Sequence, residues 1–449
     1  MAELTALWEV GLPLAGAGGG LAYAKARAPR VYWSLVGLPV ARVRFAVSYR
    51  ATMDVCGLTV QPSRLRAFLV RNLARRIDVQ PVPPKVRRVR GSSTGMRVTL
   101  RLPAGLEPTD VIAASERLRH AWGVHSVAVV ETRPGFVELR MTGYDVLRRV
   151  KMPRHRPAGP MTVPVALRED GTAFVRDYRK VPHALTLGAN QSGKSMYLRN
   201  LIVELARLPV ALVGIDCKRG VEQRRYAPRL SALAITPDEA SGLLDALVDE
   251  MEDRFDLLSQ HEAADIWDLP EEVRPVPIVL LVDEVAELFL VTGKKDEERR
   301  DRMVMQLIRL GQLARAAAIY LEICGQRFGS DLGKGATSLR AQLTGRVVHR
   351  VNDKQTAEMG LGDIAPDAVA AVTAIPPDKP GVAVAGDSSG GWSRIRTPEL
   401  SAEEASAVCV QYARLTPALP ALAPYRPVVP TEAESAGPVP LVKPIPATD

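Results

Sequence analysis

The sequence predicts an α/β fold built on a parallel sheet, and three observations carry that prediction. From about residue 161 to about residue 352, short apolar runs alternate with segments of helical periodicity, the pattern of strands whose crossover helices cover both faces of a sheet. Within it, residues 181–196 (VPHALTLGANQSGKSM) pass from an apolar segment, Ala184 to Leu187, through a turn-forming loop into a helical pattern carrying Met196, Leu198, Leu201 and Ile202. Further on, residues 276–288 (VPIVLLVDEVAEL) set an apolar run directly before Asp283 and Glu284. Those carboxylates then fall at the carboxyl end of a buried strand, where open α/β sheets bind ligands.

In chain order, the N-terminus shows neither the charged start nor the small-residue cleavage site of a secretory signal. Two apolar stretches follow, Val10 to Ala24 and Val31 to Ala41, separated by Lys25, Arg27 and Arg30. Both fall short of the roughly 20 residues a spanning helix needs, and Gly and Pro interrupt both. Two readings stand side by side: a hairpin lying on a membrane surface, anchored by Tyr32 and Trp33, with peripheral membrane contact through residues 10–41; or a pair of segments docked against the rest of the protein. Residues 62–77 read as a helix with Leu65, Phe68, Leu69 and Leu73 on one face and a basic opposite face. That face, with Arg64, Arg66, Arg71, Arg75 and Arg76, suits plain solvation as well as contact with lipid headgroups or DNA phosphates. Residues 80–95 read as a linker, which closes a basic, partly apolar N-terminal region at 1–95.

A small α+β domain is expected at 96–150, with strands Met96–Leu102, Val124–Val130 and Phe136–Met141 and a helix from about Thr109 to Trp122. The alternating region, expected to form one domain over 160–395, offers strands at Ala184–Leu187, Pro209–Ile215, Ile278–Val282, Ile319–Ile323 and Arg346–His349. Helices are expected near 194–207, 237–260, 300–317 and 336–342. After about residue 415 the chain turns Pro-rich, and an extended, unpacked tail is expected over 418–449.

Composition narrows the function classes. The 449 residues allow two or three domains, and 47% hydrophobic content excludes wholesale disorder. A net charge of +9 fits an anionic partner. The four cysteines, Cys56, Cys217, Cys324 and Cys409, are widely separated and form no C-x-x-C pair, which points to a reducing, cytoplasmic setting without disulfides or zinc.

The chemistry follows from spacing. Gly188 and Gly193 let the backbone of Gly188, Ala189, Asn190, Gln191, Ser192 and Gly193 curl so that amide N–H groups converge on phosphate oxygens at the positive end of the following helix. Lys194 would reach the β- and γ-phosphates of ATP, the Ser195 hydroxyl would ligate Mg²⁺, and Met196 continues the helix. Asp283 would hold the Mg²⁺ shell opposite Ser195. Glu284 would act as general base on the attacking water. Taken singly, a small-residue loop before a helix and a strand running into a loop are common; both in this order favour an ATPase.

The residues between and after these motifs carry a resemblance. Pro182 and His183 precede the phosphate loop; Asp216, Lys218 and Glu222 form an Asp-x-Lys-x-x-x-Glu segment; Met251, Glu252 and Arg254 lie on a helix; Ala314, Arg315, Ala316 and Ala317 precede a strand that closes on Gln326 and Arg327. Over about residues 160–390 the chain resembles the FtsK/SpoIIIE family, and its layout is most similar to the transfer proteins of actinobacterial conjugative plasmids and integrative elements. The resemblance implies a RecA-like P-loop motor domain, ATP hydrolysis, double-stranded DNA as partner, a hexameric ring, and a role in conjugal transfer. Chromosome segregation and protein secretion are the family's other outlets. It also implies that Gln326 senses the γ-phosphate and that Arg315 or Arg327 reaches a neighbouring subunit's ATP. Phe328 stands where the family usually has Pro, and a Pro-rich tail stands where many members have a DNA-reading winged helix.

Overall fold

The computed structural model describes residues 22–61, 81–153, 159–362, 364, 366–387 and 391–428. The expected helix at 62–77 and most of the first apolar stretch lie outside the described residues. The chain divides into two compact units: Met1–Arg149 with Arg168–Thr172, and Val150–Leu167 with Ala173–Asp449.

In the first unit, residues 29–55 run as one helical stretch: an α turn (Pro29–Tyr32), a π turn (Trp33–Gly37) and α1 (Leu38–Val55). The second apolar stretch is therefore helical throughout. The π turn sits just ahead of Pro39, whose ring cannot accept the ordinary i−4 bonding pattern. Next come β1 (Lys85–Gly91), β2 (Gly95–Arg101), α2 (Pro108–Ala113), α3 (Ser115–Trp122), β3 (Ser126–Arg133) and β4 (Phe136–Thr142). The four strands form one antiparallel sheet in the order β1-β2-β4-β3. Period-two alternation turns Met96, Val98, Leu100, Val137, Leu139 and Met141 inward onto Val111, Leu118, Trp122 and Phe45. Two expectations need correction here. The expected linker at 80–95 contains β1, because Val86 and Val89 pair with Leu100 and Val98 on the core face. The helix expected over 109–122 breaks at Ala114 into two.

The second unit holds a ten-stranded sheet. Its strands are β5 (Thr162–Arg168), β6 (Ala173–Asp177), β7 (His183–Leu187), β8 (Ala211–Ile215), β9 (Leu230–Ala234), β10 (Ile278–Val282), β11 (Ile319–Gly325), β12 (Gly345–His349), β13 (Val382–Gly386) and β14 (Trp392–Arg396). The order β6-β5-β14-β13-β12-β7-β11-β10-β8-β9 contains a parallel core from β12 to β9, with β13 and β14 added antiparallel. Helices α4 (Lys194–Ala206), α5 (Pro237–Gln260), α6 (Lys294–Leu313), α7 (Ala336–Gln342), α8 (Lys354–Leu361), α9 (Pro366–Thr373) and α10 (Ala402–Gln411) accompany it. Two apolar clusters cover the two faces of the sheet.

Buried polar groups tie this unit together. Arg254, on α5, donates to the Ala317 and Val276 carbonyls at 2.8 and 2.9 Å and to Glu250 at 2.8 Å, pinning the helix to the entrances of β11 and β10. Arg176, on edge strand β6, reaches Glu322 on β11 at 2.7 Å, so the sheet coils back over its own face. The start of the expected tail also needs correction, while residues 429–449 lie outside the described residues. The Pro417 carbonyl accepts from Ser231, a 3₁₀ turn covers Pro420–Tyr425, and Leu422 is buried in the main core beside Leu419 and Tyr425. Proline prevents a ladder or a long helix but not apolar packing.

Candidate nucleotide site

The site is built at the carboxyl edge of the parallel core. β7 is buried along its whole length and delivers the chain to Gly188. A Cβ at Gly188 would stand 2.5 Å from the Ser192 hydroxyl and 2.9 Å from the His349 side chain, and at Gly193 (φ 102°) it would run into the Gly381 backbone. Only glycine fits either place. The loop is fastened from both sides: Ala189 N–H donates to the Arg350 carbonyl at 2.9 Å, Arg350 donates to the Asn190 carbonyl at 3.2 Å, and Gly381 N–H donates to the Ser192 carbonyl at 2.9 Å. Gln191 takes a left-handed φ of 59°, the backbone strain expected of a loop curled for a ligand. Asn190 and Gln191 are exposed, while Ala189 and Ser192 are buried.

Lys194 and Ser195 open α4, whose N-cap is Gly193. The Lys194 ammonium lies 3.1 Å from Glu284 Oε2 and 3.5 Å from the Asp283 carbonyl. Glu284, only 7% exposed, also accepts from the Gln326 N–H at 3.2 Å and has Lys218 at 3.7 Å. One carboxylate thus joins four segments that the sequence keeps far apart. Asp283, 5% exposed, has its carboxyl pushed up by burial, with Lys194 opposing the shift and Asp216 adding to it. Asp216 is itself buried and accepts from the backbone N–H groups of Lys218, Glu222 and Gln223 at 3.2, 2.9 and 3.1 Å. That anchoring aims the Lys218 side chain at Glu284.

The remaining candidates divide. Gln326 and Arg327 follow β11 and are exposed on the same edge as the loop, with Arg327 donating to Gln355 at 3.0 Å. Phe328 is buried against Phe289 (6.2 Å between centroids), so an aromatic anchor stands in for the family's proline. Arg315 is exposed just before β11. The length of that strand, about 20 Å, separates it from Gln326 within one chain. His183 is a core residue, its Nδ1 accepting from Leu321 N–H at 3.2 Å. Sequence reasoning passed over Arg350, His349 and Gly381. The first two close the apolar run of β12, next to β7, and position at the carboxyl end of a neighbouring parallel strand was the available signal. The approach of Gly381 had none.

An oxygen donor set of one serine hydroxyl and one buried carboxylate, Ser195 and Asp283, fits Mg²⁺, which takes few protein ligands and shares its shell with phosphates. A glycine-bounded loop at a helix start, a lysine and two buried carboxylates on a parallel sheet define a P-loop ATPase.

Comparison with known proteins agrees. The FtsK/SpoIIIE family matches residues 146–275 and 268–330, and the actinomycete conjugal transfer protein N-terminal domain matches residues 21–143. The chain is 54% identical over 417 residues to the transfer protein TraSA of Streptomyces ambofaciens, covering 90% of this chain and all of that one. It is 71% identical over 271 residues to a protein of Streptomyces azureus described as a sporulation regulatory protein, covering 60% of this chain and 89% of that one. Among solved structures, the conjugation coupling protein TcpA of pCW3, bound to ATPγS, superposes with a TM-score of 0.52 at 18% identity, over 73% of this chain and 92% of that one. The chain belongs to the FtsK/SpoIIIE family, among its actinomycete conjugal transfer proteins.

Proposed function

We propose that this protein is an ATP-driven double-stranded DNA translocase of conjugal transfer, acting as a homohexameric ring. The observation that carries the reading is Glu284. It is held by the Gln326 N–H and paired with Lys194, so phosphate loop, carboxylate strand and following strand are wired to one acid. When ATP arrives, Lys194 exchanges Glu284 for the β- and γ-phosphates. Glu284, still oriented by Gln326 and Lys218, accepts the proton of the attacking water. Mg²⁺ held by Ser195 and Asp283 would neutralise charge on the phosphates. Gln326 links the state of the site to the next strand. A trans arginine completes the ring: Arg327 is the candidate on the nucleotide edge and Arg315 the candidate on the opposite edge.

Peripheral membrane contact belongs to the same reading. In the helical stretch 29–55, Val31, Leu35, Val43 and Val47 recur at multiples of four and are 56–82% exposed, with Arg30, Arg44 and Arg50 nearby. Among the described residues no helix is long and apolar enough to cross a membrane. The deciding experiment is ATP hydrolysis with and without duplex DNA. Stimulation by duplex DNA is expected; rings that hydrolyse ATP at one rate whatever DNA is added would overturn the reading.

A further inference from the structure

The N-terminal sheet has a second face that the core does not use. Strand alternation puts Lys85, Arg88 and Arg90 of β1, Arg97 and Arg101 of β2, and Glu138 and Arg140 of β4 on the side away from Val98, Leu100 and Leu139. Register then lines up like charges. Arg90 pairs with Arg97, and Arg97 with Arg140, so three arginines cross the sheet in a row. Lys85 faces Arg101, which faces Phe136, whose ring is covered by the Arg133 guanidinium at 3.9 Å.

Like charges directly opposite each other destabilise a sheet, and little here relieves them. Arg140 pairs with Glu138 at 2.8 Å and Arg97 with Asp170 at 3.4 Å. Among the described residues Lys85, Arg88, Arg90 and Arg101 have no ion-pair partner, and all four are exposed. A folded surface that places cations in register and pairs only two of them with acids is built for a polyanion. The rows are about 5 Å apart from strand to strand, and Arg97 and Arg101 are about 13 Å apart along β2. That grid meets several phosphates of one duplex face. Membrane lipid is the poorer fit, because the apolar side chains on this face, Phe136, Val130 and Ala128, are half-buried, whereas exposed valines such as Val40, Val43 and Val47 lie on α1.

We propose that the open face of the β1-β2-β4-β3 sheet is a DNA-backbone binding surface, separate from the motor's nucleotide edge and indifferent to base sequence. It gives the protein a contact with duplex DNA that persists whatever nucleotide the motor holds.

The test uses the full chain and a duplex of mixed sequence, titrated from 50 to 200 mM salt without nucleotide. The K85Q/R90Q/R101Q variant removes only cations without an ion-pair partner. Its salt slope is expected to fall by about three, so affinity changes roughly fortyfold less than in the parent across that range. A control, R44Q/R50Q/R117Q, loses the same charge from exposed helix positions and is expected to keep the parent slope. Hydrolysis without DNA is expected to be unchanged in both. If the triple variant does not fold, R90Q alone carries the test, with a slope reduced by about one. An unchanged slope overturns the proposal, as does an equal loss in the control. So does intact DNA binding with lost sedimentation on vesicles of 30% phosphatidylglycerol in phosphatidylcholine, which would assign the face to lipid. Failure of DNA to stimulate hydrolysis would count against the motor reading instead, since the difference in slope between variant and parent reports on this sheet alone.

Discussion

Charge is handled in opposite ways in the two units. At the carboxyl edge of the motor sheet, Glu284 sits between Lys194 and Lys218, and Arg176 and Glu322 pair at 2.7 Å inside the fold. On the open N-terminal sheet, arginines face arginines across β1, β2 and β4. Burial explains the difference. A charge out of water must bring its counter-ion within the chain, whereas an exposed cation is screened and can leave its counter-ion to a partner.

The largest effects should come from breaking the internal pairing at the site. Lys194→Ala is expected to lose nucleotide affinity together with turnover. Glu284→Gln should keep nucleotide bound while turnover falls about a hundredfold or more, the usual share of a general base. Nucleotide binding by fluorescence and steady-state hydrolysis separate the two. Hydrolysis by Glu284→Gln at the parent rate would mean that the base lies elsewhere.

Next is the structural cation. Arg254→Ala strands two carbonyls and Glu250, and the unfolding midpoint in denaturant should report a loss of about 3 kcal/mol. A loss of a few tenths would show that the helix is held by its apolar face alone. Acid tests the same contrast more gently. Burial lowers His183 to about 3 and His349 to about 4. The unfolded chain takes up protons below about pH 6.5 that the folded motor refuses. Stability is therefore intact above that pH and is lost progressively down toward pH 4, by about 2 kcal/mol per histidine at pH 5. His183→Gln should flatten the dependence of the midpoint on pH, and an identical profile would remove His183 from the account.

The smallest effect tests the open sheet from the stability side. Relieving the arginine row with Arg90→Gln should leave the stability of the first unit unchanged or raise it slightly, by some tenths of a kcal/mol. A clear drop would mean that Arg90 has an internal role and would erase the contrast between the units.

Much of the motor was legible without coordinates because its signals are local. β10, α5 and α7 fall at their expected bounds, since an apolar run of five, a Thr-Pro start with a capping Glu239, and a glycine-led helix each follow from neighbouring residues. The loop from Gly188 to Gly193, with Lys194, Asp283 and Glu284, was readable for the same reason: backbone curl and strand ends are properties of short segments. β9 was missed because Leu230–Ala234 is a short run with no β-branched residue. The start of the tail and the 80–95 segment pack where the sequence suggested they would not, because proline and arginine describe what a segment cannot do locally, not what it packs against. Only the tertiary structure decided that Lys218 reaches Glu284, that Gly381 supports the loop, and that Arg90, Arg97 and Arg140 form one row. Each is a pairing between residues distant in the chain, set by strand order and register, and register is fixed by burial of the other face.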